Sequence, residues 1–159
     1  MHQHAIIVGV GLAGSATAYA LAQRGWRVTL LEQHTAPASG ASALPVGMLS
    51  PHHTQSPTPM SRLCALGLQA TLAQLRQLLP DQSGWQATQV RNYTANAGEA
   101  QLALDFDEPA HVVSPAALVH AWLNAYPAQV QVLCKQRVAR LQRCPSTQHW
   151  QAVDNNGKL

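Results

Sequence analysis

The feature that most constrains this chain is the stretch AIIVGVGLAGSATAYALAQRGWRVTLLE near its start, where Gly9, Gly11 and Gly14 stand in the spacing G-x-G-x-x-G. The apolar run at residues 5–10 predicts a parallel strand covered on both faces. The first glycine then permits a tight turn, the second lets backbone approach a pyrophosphate, and the third lets a helix lie close on the strand. Residues 13–24 predict that helix, with Gly14, Ala18, Leu21 and Ala22 on one side and Gly25 as its stop. Residues 27–31 predict the second strand. It delivers Glu32 and Gln33 to the place where a carboxylate can accept hydrogen bonds from ribose hydroxyls. Phosphates would rest on the amide groups at the helix start, at Leu12 and Ala13, where the helix dipole favours negative charge.

Strand, glycine turn, helix and terminal acid agree with one another, and together they predict a bound dinucleotide. The acid at position 32 argues against a 2′-phosphate, which it would repel. NAD and FAD both remain open on these residues.

At 159 residues, with 47% hydrophobic and 11% charged, the chain is long enough for one globular core. It is too short for the two domains of most dinucleotide enzymes. A net charge of +3 is compatible with an anionic partner without demanding one. Cys64, Cys134 and Cys144 are odd in number and lack C-x-x-C spacing, which speaks against a disulfide framework or a zinc site and favours a reducing cytoplasm. The first residues carry no Lys or Arg ahead of the apolar run, so a signal peptide is not expected. No segment has the length of a membrane span.

Residues 33–58 are rich in Pro, Ser, Gly and Ala and show little periodicity, the mark of either a plain connector or a functional loop. Gly40, Ala41 and Ser42, then Gly47, Met48 and Leu49, are small or apolar residues. They would let backbone amides reach phosphate and lay an uncharged surface against an aromatic ring.

The glycine motif, the sequence GAS-x-x-x-x-G-M-L-S-P after it and the later HVVSPAALVHAWL together resemble the glycine oxidase and D-amino-acid oxidase family of FAD-dependent oxidoreductases. Within that family the chain is most similar to the oxidase half of bacterial enzymes that mature the wobble uridine of tRNA, although residues 43–46 depart from the more polar sequence usual there. The resemblance implies FAD, with Gly9, Gly11 and Gly14 at the pyrophosphate and Glu32 on the adenosine ribose. It implies Gly40, Ala41 and Ser42 near the phosphates and ribityl chain, Gly47 and Met48 beside the isoalloxazine, and the backbone of Val138 at the adenine. The implied chemistry is hydride transfer from a carbon bearing an amine, on a small amino acid or on tRNA, with no general base that this stretch can name.

The rest of the chain is expected to complete an α/β, Rossmann-like FAD-binding domain, a parallel sheet with a βαβ start and an antiparallel ribbon. Thr58 and Pro59 predict a helix start, and Met60, Cys64, Leu68, Leu72, Leu75 and Leu79 predict a buried stripe ending at Pro80. Residues 85–93 and 101–106 read as two strands. Asp105, Asp107 and Glu108 read as a solvated strand end rather than a metal or acid–base cluster. Residues 116–125 predict a helix opened by Ser114 and Pro115, residues 130–133 a third parallel strand, and residues 135–142 and 150–154 a ribbon. Lys135, Arg137, Arg140 and Arg143 read as a solvated strand face rather than an RNA contact, since no aromatic residue interleaves with them. His52 and His53 follow the presumed isoalloxazine loop, and adjacent side chains are poorly placed to share a metal. The domain expectation is 1–84 as the first part of the FAD-binding domain with its loop at 33–58, 85–110 as the start of a substrate-region insertion, and 111–159 as an incomplete continuation. On that reading the chain is the N-terminal part of a longer oxidoreductase or a truncated product. The rival readings are an NAD-dependent dehydrogenase and a non-catalytic remnant.

Overall fold

The chain is described by a computed structural model over residues 3–52, 56–92, 106–155 and 157. In chain order the elements are β1 His4–Val8, α1 Leu12–Ala22, β2 Arg27–Leu31, a short 3-10 turn Ala41–Ala43, β3 Gly47–Leu49, α2 Pro59–Leu78, β4 Trp85–Asn92, β5 Phe106–Val113, α3 Pro115–Ala125, β6 Val130–Leu133, β7 Arg140–Arg143 and β8 Trp150–Val153. Two compact units emerge, Met1–Pro45 with Pro115–Leu159, and Val46–Ser114.

The first unit is built on a parallel sheet of order β1-β2-β6, with Val8 opposite Leu31 and Leu31 opposite Leu133. All three strands therefore end at the same edge. Helix α1 buries Ser15, Ala18, Tyr19 and Ala22, spaced three and four apart. Helix α3 buries Leu118, Val119, Trp122 and Leu123, and the Tyr19 and Tyr126 rings meet at 5.5 Å between centroids. The core joins Val10, Ala18, Val28, Leu30, Ala38, Val119 and Leu123. Burying such side chains contributes about 1.5–3 kcal/mol each.

The apolar run predicts a first strand covered on both faces, and β1 is not. Ile6 and Val8 are 44% and 53% exposed. They face a hollow lined also by Leu141, Trp150 and Ala152 of the antiparallel ribbon β7-β8, which covers that side only loosely. The ribbon is also shorter than residues 135–142 predict. The amides of Lys135 and Gln136 donate to the carbonyls of His34 and Glu32, so this backbone is held on the end of β2 before β7 begins.

The second unit holds an antiparallel sheet of order β3-β5-β4 and helix α2. Thr58 and Ser61 form a reciprocal capping box, with Pro59 at the first helical position. Of the expected stripe, Leu75 is fully buried, Cys64, Leu68, Leu72 and Leu79 are half-buried and Met60 is exposed, while Leu63 and Leu66, which lie off it, are each at least 60% exposed. The expected strand at 101–106 lies mostly outside the described residues, and β5 starts where that strand is predicted to end. Glu108, which reads as solvated in the sequence, is buried inside β5. The strand runs on through Pro109, because β3 pairs with β5 only from His111 to Val113 and the missing proline N–H can face an open edge.

Candidate cofactor site

The site forms where the three parallel strands end. Gly9 adopts φ +94, a left-handed conformation that ordinary side chains rarely take, and its amide extends the ladder to the Leu31 carbonyl at 2.8 Å. One turn into α1, a Cβ on Gly14 would run into the Gly9 carbonyl oxygen. These are the tight turn and the close helix–strand approach that the glycine spacing predicts.

Helix α1 has Gly11 as its N-cap and no side-chain cap of its own. Its cap comes from 30 residues away, where the Ser42 hydroxyl accepts the Leu12 amide at 3.0 Å. A Cβ on Gly11 would lie 3.0 Å from that same oxygen, so the glycine makes room for the serine. The loop is held by the Ala38 amide donating to the Val10 carbonyl at 2.9 Å.

Glu32 is 6% exposed, yet both oxygens of its carboxylate have partners. Oε2 accepts the Val10 amide at 2.9 Å, and Oε1 accepts the His34 amide at 2.9 Å and lies 2.7 Å from the His34 Nδ1. Burial is the largest single influence and pushes the carboxyl's pKa up. The His34 amide, the Val10 amide and the His34 ring together outweigh it and hold the group below its ordinary value. An ionised carboxylate is therefore placed at the end of β2, clipped to the middle of the glycine turn.

Gly9, Gly11, Leu12, Ala13, Glu32, Gln33, Gly40, Ala41, Ser42 and Val138 line one hollow of about 570 Å³ within the first unit. Gly14 packs behind the turn instead of lining it. Gly47 and Met48 lie on β3 of the second unit, and Met48 is 59% exposed. His52 is an exposed loop residue, and His53 falls outside the described residues. His34 and Gln136 line the hollow as well, and sequence reasoning misses both. Only the return of the chain after β6, with the Gln136 amide on the Glu32 carbonyl, brings Gln136 there, and no local motif announces it.

The basic run also takes on a new neighbour. Trp150 pairs with Arg143 across the ribbon, its ring centroid 5.9 Å from the guanidinium, and is 65% exposed. The aromatic residue that the linear sequence lacks among the arginines comes from the facing strand.

A parallel sheet whose first strand turns through glycines into a helix, with a buried acid closing the second strand, defines a dinucleotide-binding α/β protein. Residues 4–125 match the family of FAD-dependent oxidoreductases named DAO. The chain belongs to that family. It is 36% identical over 186 residues to the tRNA 5-methylaminomethyl-2-thiouridine biosynthesis bifunctional protein MnmC of Polaromonas sp. strain JS666, a match covering 97% of this chain and 29% of the relative. The protein of the same name from Albidiferax ferrireducens is 36% identical over 155 residues, covering 96% of this chain and 24% of the relative. Glycine oxidase from Bacillus cereus shares the fold with a TM-score of 0.71 at 18% identity, over 99% of this chain and 52% of that one. The chain thus spans less than a third of the length of these curated relatives. No helix among the described residues is long and apolar enough to cross a membrane.

Proposed function

We propose that this chain binds FAD through its first unit and forms the cofactor-holding part of an oxidase acting on the C–N bond of an amine or amino-acid-like group. The observation that carries the reading is the buried, ionised Glu32 hydrogen-bonded to the glycine turn at the mouth of a hollow of about 570 Å³. A carboxylate there can accept from the ribose and repels a 2′-phosphate. Gly9, Gly11, Leu12 and Ala13 present backbone at the start of α1 for the pyrophosphate, with Gly14 keeping helix and strand close. Ser42, Gly40 and Ala41 close the same end, Gln33 borders the ribose, and Val138 borders the adenine. Gly47 and Met48 are assigned to the flavin ring on family resemblance.

When bound, FAD supplies a two-electron acceptor for the carbon that bears the amine. The residues of this chain bind and orient that cofactor. The identity to a tRNA biosynthesis protein favours a carboxymethylaminomethyl group on a tRNA uridine as the substrate of the parent enzyme, ahead of a small amino acid such as glycine. A cytoplasmic location follows from the same reading and from unpaired cysteines.

The test is an absorption spectrum of the purified chain, followed by acid release of any nucleotide. Flavin bands with FAD released at about one per chain are expected under one-site binding. A chain that stays colourless with excess FAD, or that releases a nicotinamide dinucleotide, overturns the assignment.

A further inference from the structure

Resting on the FAD reading, we infer that His34 is a positioning residue that turns Glu32 into a one-hydroxyl ribose grip. An ionised carboxylate offers about four lone-pair positions, two on each oxygen. Both positions on Oε1 are taken by His34, one by its amide at 2.9 Å and one by its ring Nδ1 at 2.7 Å. On Oε2 the Val10 amide takes one position. A single acceptor is left, on Oε2.

Because Glu32 is ionised and can only accept, Nδ1 must be the donor, which fixes the ring tautomer. His34 itself is anchored on both sides, since its carbonyl also accepts the Lys135 amide at 2.8 Å. With Oε1 held by the His34 amide and ring and Oε2 by the Val10 amide, the carboxylate plane is kept from rotating. Glu32 therefore cannot spread its two oxygens over two neighbouring ribose hydroxyls. It meets one, through Oε2, while His34 borders the same hollow beside it.

The experiment measures binding of three probes, ADP, 2′-deoxy-ADP and 3′-deoxy-ADP, by calorimetry on the full chain, its His34→Phe variant and its His34→Asn variant. FAD is titrated alongside. In the native chain one deoxy analogue binds about tenfold more weakly than the other, the ratio that a single hydrogen bond to a charged group supplies. Phenylalanine keeps the ring but removes the donor, and the ratio falls to about one. Asparagine places Nδ2 where histidine has Nδ1, donates to the same oxygen and restores the ratio.

A merely structural histidine would weaken all three probes together and leave their ratio unmoved, which overturns the inference. So does a native chain that treats the two deoxy analogues alike. A native chain that binds FAD but shows an unchanged ratio in His34→Phe sinks the histidine role and leaves the cofactor reading standing. If neither FAD nor ADP binds the native chain, both fall.

Discussion

Helices α1 and α2 both carry a glycine in their interior, and the two glycines do opposite work. Gly14 in α1 sits where any Cβ would meet the Gly9 carbonyl, so its bare backbone is what lets the helix lie on the strand. A methyl group added to Gly67 in α2 would meet nothing within 4 Å, and that glycine stands on an exposed stretch of helix. The same contrast runs through their side chains. The turn into α1 is clipped by Glu32, Ser42 and Ala38 from distant parts of the chain, whereas α2 carries its own cap and exposes Met60, Leu63 and Leu66. A helix that shapes a ligand site is specified by what presses on it. A helix whose flank stays exposed is specified by its own sequence.

Five substitutions or titrations would sharpen or break this contrast. The largest effect belongs to Leu75, the one fully buried position of α2, where Leu75→Ala is expected to lower unfolding stability by about 2–5 kcal/mol in urea titrations. Met60→Ala on the same helix should change it by less than about 0.5 kcal/mol, as exposed substitutions do. Comparable losses at both positions would mean that α2 is covered along its length. Next comes Gly14→Ala, expected to cost about 1–3 kcal/mol through overpacking and to abolish FAD binding, read by flavin absorbance. An alanine variant that still holds FAD would show that the close approach is not required.

Gly67→Ala should move stability the other way, by up to about 1 kcal/mol, because alanine loses less backbone entropy in an exposed helix. Loss of stability there would place a neighbour against α2. The smallest effect concerns acid. The native pKa of Glu32 is lowered, so its charged form stabilises the fold fully above the ordinary glutamate value of 4.5 and this contribution is lost as pH falls through the lower native value. The effect is small because burial opposes the hydrogen bonds. Urea midpoints measured downward from about pH 6 should therefore decline more steeply in the native chain than in Glu32→Gln over that acidic window. Parallel profiles would indicate that the carboxylate is not clipped to the turn.

Much of the site can be read from residue types because its demands are on the backbone. Left-handed Gly9 and crowded Gly14 are positions that only glycine satisfies, and a strand ending in an acid has few other meanings after such a turn. The α1 helix at Leu12–Ala22 and the third parallel strand at Val130–Leu133 follow from spacing alone. The misreading of Glu108 has a non-local cause. Glu108 is charged and stands beside a proline, which locally signals a strand end, but pairing with β4 carries the strand past it. Trp150 lies just past the hairpin turn from Arg143 and directly across from it in the ribbon.

The amino-acid sequence by itself determined the strand–turn–helix–strand unit, since it rests on local steric freedom and short spacing, and the resemblance of its motifs pointed to the family. Only the tertiary structure decided which groups share the pocket. Ser42 caps a helix that lacks its own cap, and Gln136 arrives by the return of the chain after β6. The physical reason is that a hydrogen bond between residues far apart in the chain has no local signature. It exists only once the sheet register has brought its donor and acceptor within about 3 Å.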